Sequence, residues 1–454
     1  MKQFPESVRS RSTPKLIEGC LTWLVTTVIL ITVWQINGSN VKGFPPTIAF
    51  NGTGPGESDL SSLRLVHVSV DSAASGWRKT SFMLSPEVDG SYRPYYSQFG
   101  LAADVLLLVK NFTKCDTDKL FKHAKTTLRA LTATVLGLFV AWAFIALSKL
   151  SGCILGIFFC LADGIILNAN NAYWVLPLSM TIFVMPWVTL YIAGFNRRGI
   201  TYLIMQQFIF VFLRGLFGYE YLSCFVLAPL PALFYYAVIY FDGDWRIAFK
   251  KMVIPAIALV AGGVLGFSFA VGAHLAKGYH GDKITPIEMM GIIKERAVAR
   301  VGSSPDGASQ QMFKDMSQQS AVYGFLDRIG MGGKHAAGAF LYARAWYFYL
   351  QAYTISIGER LHIPFAAFLI ATLSSGLYFF LTSFHRKWPV EIYALFAAVL
   401  LAVVVSFSWA VAAPNHMMHH AKLNLIIFHF SFMPIALLFM VETLRISVKR
   451  TVDL

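Results

Sequence analysis

Charged residues are scarce in this chain of 454 residues: only 14% are Asp, Glu, Lys or Arg, whereas 56% are hydrophobic. Because soluble domains carry roughly a quarter of charged residues, the composition excludes an ordinary soluble protein and indicates an integral membrane protein. Acidic residues are the rarer sign, and the formal net charge is +14. The basic residues stand in short clusters between apolar runs, which is typical of membrane topology rather than of nucleic-acid binding. We therefore expect no nucleic-acid partner.

Cysteine is also rare, with five in the chain, and four of these lie in apolar runs. Only Cys115 falls in a polar segment, so a disulfide framework is excluded. The basic N-terminal stretch is followed by LIEGCLTWLVTTVILITVW, residues 16–34. This run is too long for a typical signal-peptide core, and no small-residue cleavage site follows it. We predict a retained first span.

Apolar runs long enough to cross a membrane recur along the chain. A span needs roughly 20 mostly apolar residues to cross about 30 Å of hydrocarbon. By this criterion about ten spans are predicted, at 16–34, 128–148, 152–169, 173–194, 200–217, 221–240, 252–275, 361–384, 389–411 and 421–444. The predicted fold is an all-α polytopic membrane protein without internal repeats.

The basic clusters assign a side to each connection between spans. If the N-terminus is cytoplasmic and the spans alternate, every short basic cluster falls on the cytoplasmic side. These clusters are Lys149, Arg197–Arg198, Arg246 with Lys250–Lys251, Arg386–Lys387, and the tail with Arg445, Lys449 and Arg450. The short connections on the other side contain no Lys or Arg. We predict that both termini are cytoplasmic.

Two long polar segments then lie on the outer face, and we expect the function there. The predicted organisation is an arm with the first span (1–34), a first outer segment (35–127), a six-span bundle (128–275), a second outer segment (276–360), and three spans with a basic tail (361–454).

Local patterns predict the structure of these outer segments. In the first, LRLVHVSV alternates like a β-strand and LAADVLLLVKNF suits a short amphipathic helix. In the second, Thr285 caps a helix that has Pro286 at its first position and Glu288 at the capping-box position. AAGAFLYARAWYFYLQAYTISIGER follows as a predicted aromatic helix along the membrane surface.

The loop PNHMMHH, residues 414–420, holds three of the 11 histidines of the chain. A di-iron site of the desaturase type needs about eight histidines in several boxes, and the others here are scattered, so we predict no metal site. If the last span begins in this loop, His416, His420 and Asn424 share one helix face, and Lys422 lies near the membrane surface. Such groups suit an anionic head group, for example a lipid-linked phosphate. The alternative is a polar loop that only caps the helix.

The second polar cluster is PEVDGSYRPYYSQFGLAADVLLLV, residues 86–109. Carboxylates that accept from hydroxyls, together with aromatic rings that stack on an apolar face, are suited to binding a sugar. An acid here could also serve as the general base that takes a proton from an attacking hydroxyl. The alternative is an acidic turn next to an aromatic belt at the membrane interface. The candidate residues are Glu87, Asp89, Tyr92, Arg93, Tyr95, Tyr96 and Gln98.

Two ionisable residues, Asp163 and Arg214, fall inside predicted spans. A charge at this depth is costly unless it has a partner or lines a wet cavity. Either these residues belong to a site, or they form a structural ion pair with each other. Arg344 and Arg360 are weaker candidates for the same anion, because basic side chains near span ends commonly extend to the interface.

YYSQFGL at 95–101 and SWAVAAPNHMMHHAKLN at 408–424 resemble motifs of bacterial multi-span glycosyltransferases of the broad GT-C class. The layout is also similar, since in that class a first span leads to a large outer loop with a short helix. The resemblance implies a bacterial cytoplasmic-membrane enzyme that acts on the outer face with a sugar carried on polyprenyl phosphate. It implies no definite cofactor, and a divalent cation stays open.

The acid that usually follows the first span in that class is absent from TVWQINGSNVKGFPP. The resemblance therefore assigns the acid role to Asp71, Glu87 or Asp89, and Asp89 is preferred because it adjoins YYSQFGL. It implies inverting transfer to a cell-envelope glycan or lipid, with basic residues around the departing lipid phosphate, namely Arg214, His416, His420 and Lys422. The alternatives are a polysaccharide polymerase or ligase with a lipid-diphosphate donor, and a non-catalytic glycolipid transporter.

Overall fold

A computed structural model of the protein describes residues 13–39, 101–169, 175–301, 346, 350, 353–357, 361–413 and 426–452. Within these residues the fold is a bundle of α-helices with one two-stranded antiparallel sheet. The strand predicted at 63–70 lies outside the described residues.

The helices follow the apolar runs of the sequence. In chain order they are α1 Thr13–Ser39, α2 Leu101–Thr113, α3 Thr117–Ala146, α4 Lys149–Leu161, α5 Asp163–Asn168, α6 Leu176–Ala193, α7 Arg197–Phe217, α8 Leu222–Leu227, α9 Leu230–Tyr240, α10 Trp245–Lys277, α11 Pro286–Val301, α12 Phe365–Ser383, α13 Val390–Ala412, α14 Ile426–Phe430 and α15 Phe432–Val452. The strands are β1 Tyr353–Ile357 and β2 Leu361–Pro364. Among the described residues, eight helical stretches are long and apolar enough to cross a membrane, with α8 and α9 forming one of them.

The predicted span 152–169 is two helices rather than one. α4 has 13 residues, which rise about 20 Å, so α4 alone is too short for a 30 Å hydrocarbon layer. At Ala162 the backbone is extended (φ −75°, ψ 100°), and it forms an isolated antiparallel bridge with Ile355 of β1. The predicted last span is divided into α14 and α15 only at Ser431, whose backbone N–H still donates to the carbonyl of Ile427 at 3.2 Å as in a continuous helix.

The bridge at Ala162 belongs to a β-hairpin, which corrects the predicted aromatic helix through residue 360. β1 pairs with β2 so that Tyr353 faces Pro364 and Ile357 faces Leu361. The run YTISI is rich in β-branched residues, which favour strands, and Thr354 Oγ1 donates to the carbonyl of Ile363 at 2.9 Å. β2 also takes the first four residues of the predicted span 361–384.

Contacts between distant helices define one end of the bundle, here called the basic end. The ammonium of Lys149 pairs with Glu18 at 2.5 Å, and the hydroxyls of Ser148 and Ser151 both donate to the carboxylate of Glu442. The start of α1 and the middle of α15 therefore meet α4 at its N-terminus. α1 and α15 thus meet at this end, and the side of the membrane on which it lies stays a prediction.

Candidate functional site

Six polar side chains gather at the end of the bundle opposite the basic end. Asp104 lies on α2, Arg214 near the end of α7, and Tyr219 and Glu220 in the turn between α7 and α8, whereas His274 and Lys277 lie at the end of α10. We call these six residues the rim cluster. Five of the six expose 9% of their surface or less, and Asp104 is half-buried. Burying so many polar groups in an apolar bundle is costly unless they are paired or used.

The pair Asp104–Lys277 ties α2 to the end of α10. Lys277 Nζ lies 2.5 Å from Asp104 Oδ2, and the side chains expose only 6% and 15% of their surfaces. Burial raises the pKa of Asp104 to about 6, although the charge and the hydrogen bond of Lys277 act in the opposite direction. Asp104 is therefore a carboxyl group that takes up and releases a proton close to neutral pH.

Tyr219 and His274 form the second pair of the rim cluster. Tyr219 Oη lies 2.7 Å from His274 Nδ1, and the Tyr219 ring packs edge-on against Phe267 at 5.2 Å between ring centroids. Burial raises the pKa of Tyr219 well above its ordinary value, and the neighbouring Glu220 raises it further. The phenol is thus neutral at physiological pH. His274 Nε2, in the described part of the chain, is buried without a hydrogen-bond partner.

Arg214 closes the C-terminal end of α7. Its Nη1 donates to the carbonyl of Gly218 at 2.9 Å, and its guanidinium carbon lies 5.1 Å from the centroid of the Phe225 ring. A cation at this position is stabilised by the partial negative charge of the helix C-terminus and by the ring face. Arg214, which was predicted as a site residue, is therefore buried next to the other residues of the rim cluster.

The turn after Arg214 connects the rim cluster to α13. Tyr221 has a left-handed backbone (φ 60°), which is rare for a residue other than glycine, and its side chain is buried. Its ring packs edge-on against Trp409 in the last turn of α13, at 5.2 Å between centroids. Because α13 leads through Ala413 to the PNHMMHH loop, that loop departs from the same end of the bundle as the rim cluster.

The other predicted site residue in the described part of the chain, Asp163, begins α5 at the break after α4. α5 packs against β1 and α14, whereas α7, which carries Arg214, packs mainly against α10. The side chain of Asp163 is not described, so its pairing with Arg214 stays a prediction. The remaining predicted site residues lie outside the described residues, and their roles also stay predictions: Asp71, Glu87, Asp89, Tyr95, Tyr96, Gln98, Arg344, Arg360, His416, His420, Lys422 and Asn424.

Sequence reasoning missed most of the rim cluster. Asp104 belongs to LAADVLLLVKNF, which was predicted only as a short amphipathic helix. His274 and Lys277 lie at the end of a predicted span, where interfacial residues are usual. The best signal was Glu220, a single acid in the three-residue connection GYE.

A second region with buried polar groups lies where the break between α4 and α5 and the helix α14 meet the hairpin. We call it the junction: Ala162, Gly164, Thr354 and His429. His429 is fully buried, and its Nε2 lies 3.2 Å from the carbonyl oxygen of Thr354 in β1. A Cβ atom at Gly164 would lie 2.9 Å from His429 Nδ1, so only glycine fits beside the imidazole. Non-helical backbone at membrane depth has to be buried in protein or line a cavity, and the junction supplies that burial.

Within the described ranges, no group of three or more His, Cys, Asp or Glu side chains could hold a metal ion. In comparisons with known proteins, no family model, no curated protein and no solved structure matches the chain.

Proposed function

We propose that this protein is a membrane glycosyltransferase that moves a sugar from a polyprenyl-phosphate carrier to a cell-envelope glycan or lipid. The observation that carries the proposal is the rim cluster, in which buried acid, basic and phenol groups from separate elements meet at one end of an apolar bundle. The resemblance of YYSQFGL and of the histidine-loop stretch to the GT-C class supports the reaction type. No other large group of buried ionisable side chains occurs at this end within the described residues.

The proposed topology places this end on the outer face of a bacterial cytoplasmic membrane. The eight apolar helical stretches, together with the paths α4–α5 and α14–α15, make about ten crossings. The basic end then faces the cytoplasm, as the distribution of Lys and Arg favours. The segments 40–100 and 302–345, and the loop 414–425, all leave from helix ends on the outer side.

In the proposed reaction an acceptor hydroxyl attacks the anomeric carbon of the carried sugar. The bond between that carbon and the phosphate oxygen breaks, and the lipid phosphate leaves with the electron pair. The hydroxyl proton passes to a general base, for which Asp89 is the candidate. Arg214 and Lys277, with His416, His420 and Lys422 of the loop, offer positive charge to the departing phosphate.

The proposal is tested with purified protein in lipid nanodiscs and a radiolabelled polyprenyl-phosphate sugar. We expect transfer or release of the sugar by the native protein and a loss of at least about 100-fold in Asp89→Asn, the usual scale for a general base. Unchanged turnover in that variant would remove Asp89 from the mechanism.

The rim cluster is tested separately with the double variant Asp104→Leu/Lys277→Met. It removes the buried ion pair without leaving one charge alone, and such replacements are often neutral or stabilising for the fold. Loss of transfer with an intact fold would support the rim cluster as part of the site. Full activity would limit the ion pair to a structural role.

The break between α4 and α5 favours one second candidate, a transporter of lipid-linked sugars. In many transporters discontinuous helices mark the substrate site near the middle of the membrane, and here the break between α4 and α5 lies beside the hairpin. Proteoliposomes with a fluorescent lipid-linked sugar distinguish the two functions. Translocation without chemical change supports the transporter, and transfer to an acceptor supports the enzyme. A lipid-diphosphate polymerase or ligase would instead depend on arginines and tolerate Asp89→Asn.

A further inference from the structure

The helix that follows α10 carries a stripe of exposed aliphatic side chains. On α11, Ile287 exposes 85% of its surface, Met290 49% and Val298 59%. These positions are three, four or eight residues apart, counting through the exposed Lys294, so all four lie on one helix face. Single exposed aliphatic residues are ordinary on a protein surface, but an aligned stripe with a lysine in it is typical of a helix that lies on a membrane.

The chain reverses direction between α10 and α11, and this turn places the start of α11 beside the end of α10. Lys283 has a left-handed backbone (φ 61°), and Met289 is fully buried with its side chain packed on Gly278, where a Cβ atom would overlap it. In one straight helix these two residues would be roughly 16 Å apart. The first turns of α11 therefore lie beside the end of α10 instead of extending away from the bundle.

A capping box fixes the start of α11 at that level, as the sequence predicts. The backbone N–H and the hydroxyl of Thr285 donate to Glu288 Oε2 at 2.9 and 2.8 Å, and Glu288 N–H donates back to the hydroxyl at 3.3 Å. These hydrogen bonds lower the pKa of Glu288, so its carboxylate is charged at neutral pH. Glu288 and Glu295 lie roughly a quarter turn from the apolar stripe, so the helix is amphipathic.

The exposed apolar surface of α10 ends at the level of α11. Leu265 and Phe269 on α10 are exposed along the bundle, as expected for side chains that face lipid, and Tyr279 is exposed just after α10 ends. Tyrosine is enriched where a span leaves the hydrocarbon. The stripe on α11 therefore continues a lipid-facing surface at the level where that surface ends.

We propose that α11 lies on the bilayer surface at the rim-cluster end, with Ile287, Met290 and Val298 among the upper acyl chains and Lys294 at the lipid phosphates. The partner is the lipid bilayer itself. By resting there, α11 holds the end of α10, and with it His274 and Lys277, at a fixed depth. This inference does not depend on the proposed enzymatic activity and holds equally for a transporter.

The test uses spin labels on the full-length protein in nanodiscs of phosphatidylethanolamine and phosphatidylglycerol. The four cysteines that are exposed or partly exposed, Cys20, Cys115, Cys153 and Cys160, are first replaced by serine. Labels are placed by Ile287→Cys, Met290→Cys and Val298→Cys, with Glu295→Cys and Ala299→Cys as matched controls away from the stripe on the same helix. Collisions with oxygen, which concentrates in hydrocarbon, and with a water-soluble nickel chelate are then measured.

We expect a severalfold higher ratio of oxygen to nickel collisions at the three stripe positions than at the two controls. Equal nickel access at all five positions would overturn the proposal, since α11 would then project into water. Stripe labels shielded from both reagents would also overturn it, because the stripe would then pack against protein.

A pair of charge variants distinguishes loss of membrane contact from misfolding of α11. Val298→Glu should raise nickel access at a label on position 290, whereas Ala299→Glu, which adds the same charge on the helix face of Glu288 and Glu295, should leave it unchanged. The same increase in both variants would contradict the inference. Replacement of phosphatidylglycerol by phosphatidylcholine should reduce the depth of the native helix, and Lys294→Gln should remove this dependence on anionic lipid.

Discussion

The substitution Gly164→Ala should loosen the junction through the His429 imidazole. A Cβ atom at this position would lie 2.9 Å from His429 Nδ1, 3.0 Å from Cε1 and 3.3 Å from Cγ. Since unstrained contacts of this kind lie at about 3.5–4.0 Å, the ring has to move by roughly 0.6 Å or more. The bond from His429 Nε2 to the carbonyl of Thr354 is already 3.2 Å long, at the upper limit for a hydrogen bond, and we expect it to break.

The magnitude follows from three contributions to the free energy of unfolding. Overpacking in a filled core costs about 1–3 kcal/mol, and a buried carbonyl left without its partner costs about 1–3 kcal/mol. The helix propensity of alanine over glycine in α5 offsets about 1 kcal/mol. We therefore expect Gly164→Ala to lower the unfolding free energy by about 1–5 kcal/mol.

The assay is equilibrium unfolding in mixed micelles, followed by tryptophan fluorescence, in a double-mutant cycle with His429→Ala. Once the imidazole is gone, Gly164→Ala should be neutral or slightly stabilising, which gives a coupling energy of about 2 kcal/mol or more. Gly156→Ala in α4 is the matched control, because the nearest atom to its Cβ would lie at an ordinary 3.8 Å. If Gly164→Ala has the same effect in the native protein and in His429→Ala, His429 does not hold the hairpin through its contact with Thr354.

Three further predictions concern charged and phenol groups. The folded-state pKa of Asp104 lies at about 6, above its ordinary value of 3.8. Between these two pH values the folded protein keeps a proton on Asp104 that the unfolded chain releases. The free energy of unfolding should therefore fall as pH rises from about 4 through 6. Asp104→Asn should remove this slope in unfolding experiments across that pH range. Tyr219→Phe should lower the unfolding free energy by about 1–3 kcal/mol, because it leaves a buried nitrogen of His274 without a partner. Glu442→Ala should destabilise by about 1–3 kcal/mol, because it leaves the buried hydroxyl of Ser151 without its acceptor, and should leave the turnover per folded molecule unchanged.

Each of these predictions has a control and a contradicting result. Glu295→Gln removes an exposed acid and should leave the pH slope in place, so a slope that persists in Asp104→Asn would place its origin elsewhere. A Tyr219→Phe variant as stable as the native protein would show that the phenol contact contributes little. Loss of turnover in folded Glu442→Ala would connect the basic end to the site at the other end.

Local rules predicted those parts of the fold that short stretches of sequence determine. The capping box at Thr285 and Glu288 forms as predicted because all of its hydrogen bonds join residues three apart. Most predicted spans match observed helices within a few residues, since composition alone determines whether a run prefers hydrocarbon. The break at Ala162 could not be predicted this way, because its bridge partner, Ile355, is remote in sequence, and Asp163 next to it was interpreted as a site or ion-pair residue.

The rim cluster could not be predicted either, because its residues are also remote from one another in sequence. Asp104 and Lys277 are separated by 173 residues, and neither is unusual in its own stretch of sequence. Arg214 was found because a charge near the end of a span is conspicuous by itself. Its neighbours Tyr219 and His274 become informative only when the packing of α7 on α10 brings them within 2.7 Å.

The two ends of the bundle bury charge in different ways, and this difference favours a functional role for one of them. At the basic end, Glu442 accepts from Ser148, Ser151 and Arg445, so one carboxylate is satisfied by the start of α4 and by its own helix. That arrangement is sufficient to fix two helices and needs nothing further. The rim cluster instead collects acid, phenol, imidazole and two cations from elements that apolar contacts already hold together. Since a buried ion pair adds little stability over well-packed apolar side chains, the cost of placing these groups there is best explained by a ligand that they bind.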